Sequence, residues 1–357
     1  MSEFNTLVLY CRAGFEKECA AEISTRLSDM GIYGYPRFET GQAYVVFHCQ
    51  QPDGATDAIQ RLRFRDLIFT RQWFAALPLF EQLPADDRIT PILASAGSLP
   101  VASELVAEVV DTTEGRELQS FARKFGSALS QALRRESILL ERKRRADWRL
   151  HMLVLDGRTL WLGAAPIGNS SPWSMGILRL KFPQQAPSRS TLKLEEAWRY
   201  FIPAQRQDEL LGGGLRAVDL GAAPGGWTWQ LVKQNMFVIA VDNGPMSPDL
   251  MESGQVEHRR EDAFTFVPPK PVDWMVCDIV DKPARVTELV LHWAENGWCR
   301  HAIFNLKLPM KQRFAETESC LGYLRDSLAN AGIGFRLQAR QLYHDREEIT
   351  CWLSLEP

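Results

Sequence analysis

The 357-residue sequence lacks the segments that would place a protein in or across a membrane. No apolar run approaches the ~18 residues that a transmembrane helix needs, so we expect no membrane association. The first residues, MSEFNTLVLYCR, have neither a basic start nor a long apolar stretch, and they do not resemble a signal peptide. We therefore expect a cytoplasmic protein.

Paired cysteines and clustered histidines are also missing. The seven cysteines are scattered without a C-x-x-C pair, and their odd number is unfavourable for a disulfide framework. The six histidines form no H-E-x-x-H or comparable cluster. We predict free thiols, as is typical of a reducing compartment, and no metal site.

An excess of basic charge is absent, because 41 Lys and Arg against 44 Asp and Glu give a net charge of −3. This argues against a broad basic surface for nucleic acid, but a local basic stripe remains compatible with it. The segment RRESILLERKRRADWR (134–149) is such a stripe. It is either a solvated helix end and loop or a contact to RNA phosphates. The candidates for that contact are Arg142, Lys143, Arg144 and Arg145.

The N-terminal half predicts two small α+β units followed by a linker. Residues 1–54 combine the strand-like TLVLYCR, a helix with apolar residues at every fourth position from Phe15 to Leu27, and a hairpin. Residues 55–165 add the strand LVAEVVD, an amphipathic helix and a hairpin at Asp156-Gly157. Residues 166–188 are rich in Pro, Ser and Gly and are predicted to be a linker, in which Arg179 and Lys181 are further candidates for RNA contact.

Residues 189–357 alternate between helical and strand-like segments. This alternation predicts a Rossmann-like α/β domain, with a seven-stranded, mostly parallel sheet covered on both faces. The last segment, FRLQARQLYHDREEITCWLSL, predicts a terminal antiparallel hairpin. Ligands of such sheets bind beyond the carboxyl ends of the strands, at the point where the strand order reverses.

The first strand of this domain leads into the glycine loop VDLGAAPGGWTWQL (218–231). Its spacing is neither G-x-G-x-x-G nor that of a Walker A loop, so a pyrophosphate cofactor is disfavoured. Alone, the loop could be a structural turn or hold another nucleotide. Gly225 and Gly226 would let the backbone approach a ligand closely.

Acidic residues end the following strands and favour S-adenosylmethionine as the cofactor. Asp242 is placed to accept hydrogen bonds from ribose hydroxyls, and Asp262 is placed for an adenine amino group. The predicted cofactor contacts are Ser190, Asp219, Gly221, Ala223, Pro224, Gly225, Gly226, Trp227, Asp242, Asp262 and Asp278.

Two signatures of base methylation are absent. The fourth strand is followed by Asp278-Ile279-Val280 and not by [D/N/S]-P-P-[Y/F], which disfavours methylation of an exocyclic amine. Cys277 lies in an apolar strand and alternation turns it away from Asp278, so we interpret it as a core thiol and not as a nucleophile. The remaining polar candidates are Lys193, Asp278, Lys307 and Glu348. Each could singly be a solvated residue, but Lys307 interrupts a strand that should be apolar.

The segments SRSTLKLEEAW, LGAAPGGWTWQL, VCDIV, FNLKLP and REEITCWL resemble the FtsJ/RrmJ-like 2′-O-ribose methyltransferases over residues 188–357. The K-D-K-E tetrad of that family falls on Lys193, Asp278, Lys307 and Glu348, where spacing favours Glu348 over Glu347. The preceding units are similar to ferredoxin-like and THUMP domains. The sequence departs from close single-domain relatives in having DIVDKP where they have D-M-A-P.

The resemblance implies that the chain, as a monomer, methylates the ribose of a cytidine in 23S rRNA or its precursor. The ribose 2′-hydroxyl must lose its proton during methyl transfer. Lys307 is the predicted proton acceptor, oriented by Asp278. Alternatively, Lys307 steers the lone pair of the 2′-oxygen while water takes the proton.

Four other functions stay open. They are 2′-O-methylation of another RNA, methylation of a protein or small molecule, non-catalytic RNA binding or ribosome assembly, and nicotinamide-dependent oxidoreduction. The paired lysines and the N-terminal units argue against methylation of a protein or small molecule. Retention of all four tetrad residues argues against a non-catalytic role. The missing G-x-G-x-x-G argues against nicotinamide-dependent oxidoreduction.

Overall fold

Two compact units, Met1–Leu178 and Arg179–Pro357, make up the chain. The computed structural model describes residues 4–141 and 144–355. Each unit is built around a seven-stranded sheet. Across the described residues, every helix is too short or too polar to span a lipid bilayer.

The first unit has a mixed sheet with helices packed against it. Its described strands are β1 (Thr6–Tyr10), β2 (Gly34–Arg37), β3 (Tyr44–Cys49), β4 (Gln72–Ala76), β5 (Leu105–Val109), β6 (Trp148–Val154) and β7 (Leu160–Pro166). Its described helices are α1 (Glu16–Asp29), α2 (Gly54–Arg61), α3 (Ile89–Ala96), α4 (Thr113–Glu117) and α5 (Gln119–Arg135). The strand order is β2-β3-β1-β4-β7-β6-β5.

The predicted elements of this unit are confirmed. The apolar run of β1 is buried at every position. The periodic apolar residues Cys19, Ile23 and Leu27 of α1 are also buried. Because β1 pairs with β4 and β4 pairs with β7, the sheet is continuous through residues 1–54 and 55–165. The boundary between these two segments as separate domains stays a prediction.

The second unit has the alternating order of strands and helices that the sequence predicts. Its described strands are β8 (Arg216–Leu220), β9 (Phe237–Val241), β10 (Val256–Arg259), β11 (Val272–Cys277), β12 (Cys299–Lys307), β13 (Arg336–Arg340) and β14 (Glu348–Ser354). Its described helices are α6 (Thr191–Phe201), α7 (Gln207–Leu210), α8 (Gly226–Lys233), α9 (Pro248–Met251), α10 (Pro283–Glu295) and α11 (Arg313–Asn330).

The sheet of the second unit has the order β10-β9-β8-β11-β12-β14-β13. Neighbours from β10 to β12 are parallel, whereas β14 pairs antiparallel with both β12 and β13. This confirms the Rossmann-like fold with its terminal hairpin. The chain runs outward from β8 to β10 and then returns beside β8 as β11, so the crevice for a ligand lies beyond the carboxyl ends of β8 and β11.

Helix α6 is fixed by an aromatic core. Its residues Leu194, Ala197, Trp198 and Phe201 are buried, at the spacing that predicts one apolar helix face. They pack with side chains of the sheet that include Trp274 and Trp352. Burial of each large side chain stabilises the fold by roughly 1.5–3 kcal/mol. This packing holds the first turns of α6, with Lys193, against the sheet.

Candidate active site

Four charged side chains form a ring at the carboxyl ends of β11 and β12. Lys193 Nζ lies 3.1 Å from Asp278 Oδ2 and 2.5 Å from Glu348 Oε1. Lys307 Nζ lies 2.5 Å from Asp278 Oδ1 and also contacts Glu348 Oε2. Each lysine therefore bridges both carboxylates, and positive and negative charges alternate around the ring. The structure brings together all four residues that the sequence analysis singled out as the tetrad.

Strand register determines which glutamate joins this ring. Lys307 on β12 lies directly opposite Glu348 on β14, and both side chains point to the same face. Glu347 is one residue earlier, so it points elsewhere; it is exposed and pairs with Arg313. The choice of Glu348 over Glu347 for the ring thus agrees with the geometry.

A polar layer beneath the ring was missed by the sequence analysis. Asn305 Nδ2 donates to Asp278 Oδ1 at 2.9 Å, and Thr350 Oγ1 donates to Asn305 Oδ1 at 2.8 Å. Thr350 also contacts the fully buried Asp345 at 3.0 Å. One signal could have found Asn305, because it interrupts the apolar β12 two residues before Lys307 and must share its face. Asp345 lies in a loop without a motif.

The charges of the ring hold two of its members in their ionised forms. Burial alone would raise the pKa of Asp278, but Lys193 and Lys307 together lower the pKa below its usual value. Burial alone would lower the pKa of Lys193, but the carboxylates of Asp278 and Glu348 raise the pKa above its usual value. Lys193 is therefore a fixed positive charge at neutral pH.

The glycine loop follows β8 and packs tightly against the rest of the second unit. Gly225 has a φ of 113°, a left-handed conformation that suits glycine, and it precedes α8. A Cβ atom on Gly225 would lie 2.5 Å from Leu250, and one on Gly226 would lie 2.2 Å from Ser190. These two glycines thus allow close contact with the protein's own side chains, in addition to any approach to a ligand.

The predicted cofactor residues of the loop region differ in accessibility. Asp219 and Trp227 are buried, with Asp219 Oδ2 accepting a 2.6 Å hydrogen bond from Thr228. Trp227 Nε1 donates to Ser190 O at 3.0 Å and so ties α8 to the start of α6. Pro224 is exposed. Buried residues of this set shape the loop, whereas exposed ones can reach a ligand.

Two further carboxylates lie at the same edge of the sheet. Asp242 follows β9 and accepts hydrogen bonds from Ala223 N at 3.0 Å and Gly244 N at 2.7 Å. Asp262 is exposed and follows β10. The hydrogen bond from Ala223 N fixes the Asp242 carboxylate beside the glycine loop. Its remaining oxygen lone pairs can accept hydrogen bonds from ribose hydroxyls.

This edge fits S-adenosylmethionine through its charge. Burial, together with the neighbouring carboxylates of Asp278 and Asp242, raises the pKa of Asp219 to about 7. The glycine loop therefore lies among acids, which favour a positively charged sulfonium and disfavour a pyrophosphate. Asp242 and Asp262 add acceptors for hydroxyl and amino groups.

Cys277 has the surroundings of a core residue. It is fully buried in β11, and burial raises the pKa of its thiol to about 12. A thiolate nucleophile is therefore disfavoured, in agreement with the sequence interpretation. All seven cysteines lie among the described residues as buried free thiols. The described residues contain no cluster of His, Cys, Asp or Glu suited to a metal ion.

The predicted RNA contacts fall in two places. Arg144 and Arg145 are exposed between α5 and β6 of the first unit, while Arg142 and Lys143 lie outside the described residues. Arg179 and Lys181 are exposed in the second unit, in the segment that precedes α6. The structure does not bring these residues into one cluster within either unit.

Three segments of the chain match known families. Residues 4–74 match the RlmM ferredoxin-like domain, and residues 87–165 match the N-terminal domain of ribosomal RNA large subunit methyltransferase M. Residues 186–297 match the FtsJ-like methyltransferase family.

Two full-length relatives are similar over nearly the whole chain. Ribosomal RNA large subunit methyltransferase M of Cellvibrio japonicus is 52% identical, covering 98% of this chain and 99% of the relative. That of Pectobacterium carotovorum is also 52% identical, covering 97% and 95%. Among solved structures, TrmN from Thermus thermophilus is 15% identical, with a TM-score of 0.37, over 98% of this chain and 99% of that chain.

The raised pKa of Asp219 predicts a pH-dependent stability difference between wild type and Asp219→Asn. An ordinary Asp ionises near ~3.9 in the unfolded chain, whereas Asp219 in the folded chain ionises near pH 7. The Asp219 carboxyl therefore lowers the free energy of unfolding progressively as pH rises from about 4 to 7, and this destabilisation stays constant above pH 7. An uncharged Asn avoids the cost.

We expect the thermal midpoint of Asp219→Asn, relative to wild type, to rise between pH 5 and pH 8 in scanning calorimetry. The exposed Asp249→Asn is the control and should show no such trend. A relative midpoint for Asp219→Asn that is flat or falls with pH would contradict the assignment.

Proposed function

Because the chain belongs to the ribosomal RNA large subunit methyltransferase M family, it is an S-adenosylmethionine-dependent rRNA methyltransferase, and we propose that it methylates a cytidine ribose of 23S rRNA at the 2′-oxygen. The observation that carries the choice of ribose is the charge ring of Lys193, Asp278, Lys307 and Glu348. The buried Cys277 supports it, since a cytosine C5 methylase requires a reactive thiol. The choice of cytidine rests on the family resemblance given in the sequence analysis and not on the geometry of the ring.

S-adenosylmethionine supplies an electrophilic methyl group bound to a positively charged sulfur. We assign the ribose hydroxyls of this cofactor to Asp242 and its adenine amino group to Asp262. The backbone of Gly221, Ala223, Pro224 and Gly225 would contact the methionine portion. Ser190, Asp219, Gly226 and Trp227 support the loop from behind, because Asp219 and Trp227 are buried and Gly226 packs on Ser190.

Side-chain exposure separates the roles of the four ring members. Lys307 is 21% exposed, Lys193 and Asp278 are each 15% exposed, and Glu348 is 5% exposed. The more exposed of the two lysine side chains is thus that of Lys307. We assign Lys307 as the group that receives the 2′-hydroxyl proton, with Glu348 and Asp278 fixing its position.

Lys193 acts as a permanent charge in this scheme. Its ammonium group contacts the same two carboxylates as Lys307, so one positive charge stays beside them when Lys307 is uncharged. After transfer, the proton on Lys307 can pass to solvent, since the side chain is partly exposed. In the alternative, Lys307 stays an ammonium and orients the 2′-oxygen, while water removes the proton.

The first unit is proposed to hold the RNA through the stripe at residues 142–145. Arg144 and Arg145 are exposed, as a contact to phosphate requires. Guanidinium groups pair with phosphate oxygens through two hydrogen bonds, which makes arginine well suited to this contact. We further propose that the chain works as a monomer in the cytoplasm.

Replacing Lys307 tests the proposed acceptor chemistry. Lys307→Ala should lower methyl transfer to 23S rRNA at least ~100-fold, the usual loss on removal of a general base. Binding of S-adenosylmethionine, measured by calorimetry, should stay within twofold. Lys270→Ala, an exposed lysine that precedes the opposite end of β11, is the matched control and should behave like wild type. Wild-type turnover by Lys307→Ala would disprove the assignment.

Lys307→Arg then distinguishes the two roles of this residue. Arginine keeps the positive charge but does not give up its proton in proteins. If Lys307 accepts the proton, Lys307→Arg is as inactive as Lys307→Ala. Substantial activity would favour the orienting role.

Replacing Asp242 tests the cofactor assignment. Asp242→Ala should weaken S-adenosylmethionine binding by roughly tenfold or more, because hydrogen bonds to a charged acceptor contribute about 1.5–3 kcal/mol. Asp242→Asn retains one acceptor oxygen for the loop, so its affinity for S-adenosylmethionine should fall between those of wild type and Asp242→Ala. The exposed Asp249→Ala serves as control. Affinity of Asp242→Ala equal to that of wild type in calorimetry would exclude the ribose contact.

Removing two arginines of the stripe tests the RNA assignment. The double variant Arg144→Ser, Arg145→Ser should bind 23S rRNA more weakly than wild type. The slope of log affinity against log salt concentration should also become shallower, by roughly 0.7–0.9 for each phosphate contact that is lost. Filter binding at several salt concentrations measures the slope. Arg61→Ser, Arg63→Ser removes the same charge elsewhere in the first unit. Equal slopes for the two variants would show that the stripe is only a solvated surface.

A further inference from the structure

A cleft of ≈ 670 Å³ in the second unit opens beside the charge ring. Lys193 and Glu348 form part of its wall, so the cleft is continuous with the proposed reaction centre. The rest of the wall comes from the segment before α6 and from the loop 341–347 between β13 and β14. The lining residues from these two segments include Arg179, Phe182, Arg189, Tyr343, His344 and Arg346.

The loop 341–347 is held in place by two buried carboxylates. Glu196 of α6 is 3% exposed and accepts hydrogen bonds from Tyr343 N at 2.8 Å and His344 N at 3.0 Å. It also lies 2.6 Å from His344 Nδ1. Asp345 accepts from Leu342 N at 2.8 Å. A loop fixed by so many bonds loses little entropy on binding a ligand, so it is preorganised.

Arginine and aromatic side chains face this cleft. Arg179, Arg189 and Arg346 are exposed, and neither Arg189 nor Arg346 has an ion-pair partner among the residues that the structure describes. Phe182 is 39% exposed. The Arg179 guanidinium lies 6.0 Å from the centre of the Tyr343 ring. Glu348 is the one acid among the described lining residues, and both lysines of the ring neutralise it.

This combination matches the chemistry of a ribonucleotide. Guanidinium groups bind phosphate oxygens, while aromatic rings stack on bases of single-stranded RNA. Unpaired RNA bases are recognised by stacking and by hydrogen bonds to their edges. A nucleotide seated in the cleft would have its ribose next to Lys193 and Glu348, and Glu348 in turn contacts Lys307, the proposed proton acceptor.

Resting on the function proposed above, we propose that this cleft binds the acceptor nucleotide and that His344 reads its base. Tyr343 and Phe182 provide the aromatic surface for the base, and Arg189 and Arg346 bind the adjoining phosphates. Because Nδ1 of His344 is engaged by Glu196, Nε2 is the ring nitrogen left for the base edge. Glu196 acts as a positioning residue for His344.

Steady-state kinetics on the full-length protein test the stacking and phosphate contacts. The substrate is 23S rRNA purified from cells that lack the protein. Tyr343→Ala and Arg346→Ala should each raise KM for this RNA roughly tenfold, with kcat changed less than threefold and S-adenosylmethionine affinity unchanged. Tyr343→Phe keeps the ring and should restore the wild-type KM. Tyr323→Ala on α11 and Arg336→Ala at the far end of β13 are exposed controls. A wild-type KM for Tyr343→Ala would overturn the proposal.

The His344 assignment predicts a change in base preference. Two RNA transcripts carry either cytidine or uridine at the position that wild type methylates. His344→Ala should reduce the ratio of kcat/KM for the cytidine transcript to kcat/KM for the uridine transcript at least fivefold. His344→Gln, which can place a polar group near the Nε2 position, should recover part of this ratio. A ratio unchanged in His344→Ala would remove His344 from base recognition.

A binding experiment separates failure of this inference from failure of the proposed function. A single-stranded oligoribonucleotide containing 4-thiouridine is photo-crosslinked to the full-length protein, and the linked peptides are identified by mass spectrometry. Crosslinks to Phe182 or Tyr343 support the cleft even if wild type methylates no ribose. Crosslinks confined to other surfaces overturn the cleft even if ribose methylation is observed.

Discussion

The pairing of Lys307 with Glu348 across β12 and β14 is the contact on which the charge ring depends. Both residues occupy one face because their strands are antiparallel and in this register. A slip of one residue would turn Glu348 away and bring Glu347 to that face. The packed side chains of the same strands, including Ile303 and Trp352, resist such a slip because it would take Trp352 out of the core that it shares with Ile303. Packing of the sheet and composition of the reaction centre are therefore fixed by the same register.

Much of the second unit could be predicted from the sequence because its signals are local. Alternating strands and helices indicated a Rossmann-like sheet, and the carboxyl ends of parallel strands indicated the sheet edge at which Asp242, Asp278 and Lys307 lie. Glu348 was selected over Glu347 by its spacing, and the register agrees. These predictions needed only periodicity, strand ends and a resemblance in short motifs.

Other features depend on contacts between distant segments, which no local pattern encodes. Glu196 looks like an ordinary helix acid, yet it is buried and holds a loop more than a hundred residues later in the chain. The pairing of β1 with β4 joins two segments that the sequence presents as separate. Trp227 and Asp219 are buried within the loop, which the glycine motif alone does not indicate, and their contact with the cofactor stays a prediction. Asn305 lay within reach of simple alternation, since it shares a face with Lys307.

The alternation of charge around the ring has a consequence at longer range. While both lysines are protonated, the two ammonium groups and two carboxylates sum to zero, and fields from such an arrangement decline faster with distance than the field of a single charge. A polyanionic substrate at about one Debye length, roughly 8–10 Å, therefore senses little of the reaction centre. In the proposed function, approach and chemistry are served by different side chains: exposed arginines would attract the RNA, and the ring would act only on a nucleotide that is already bound. Evolution can consequently retune the speed of encounter without disturbing the reacting groups.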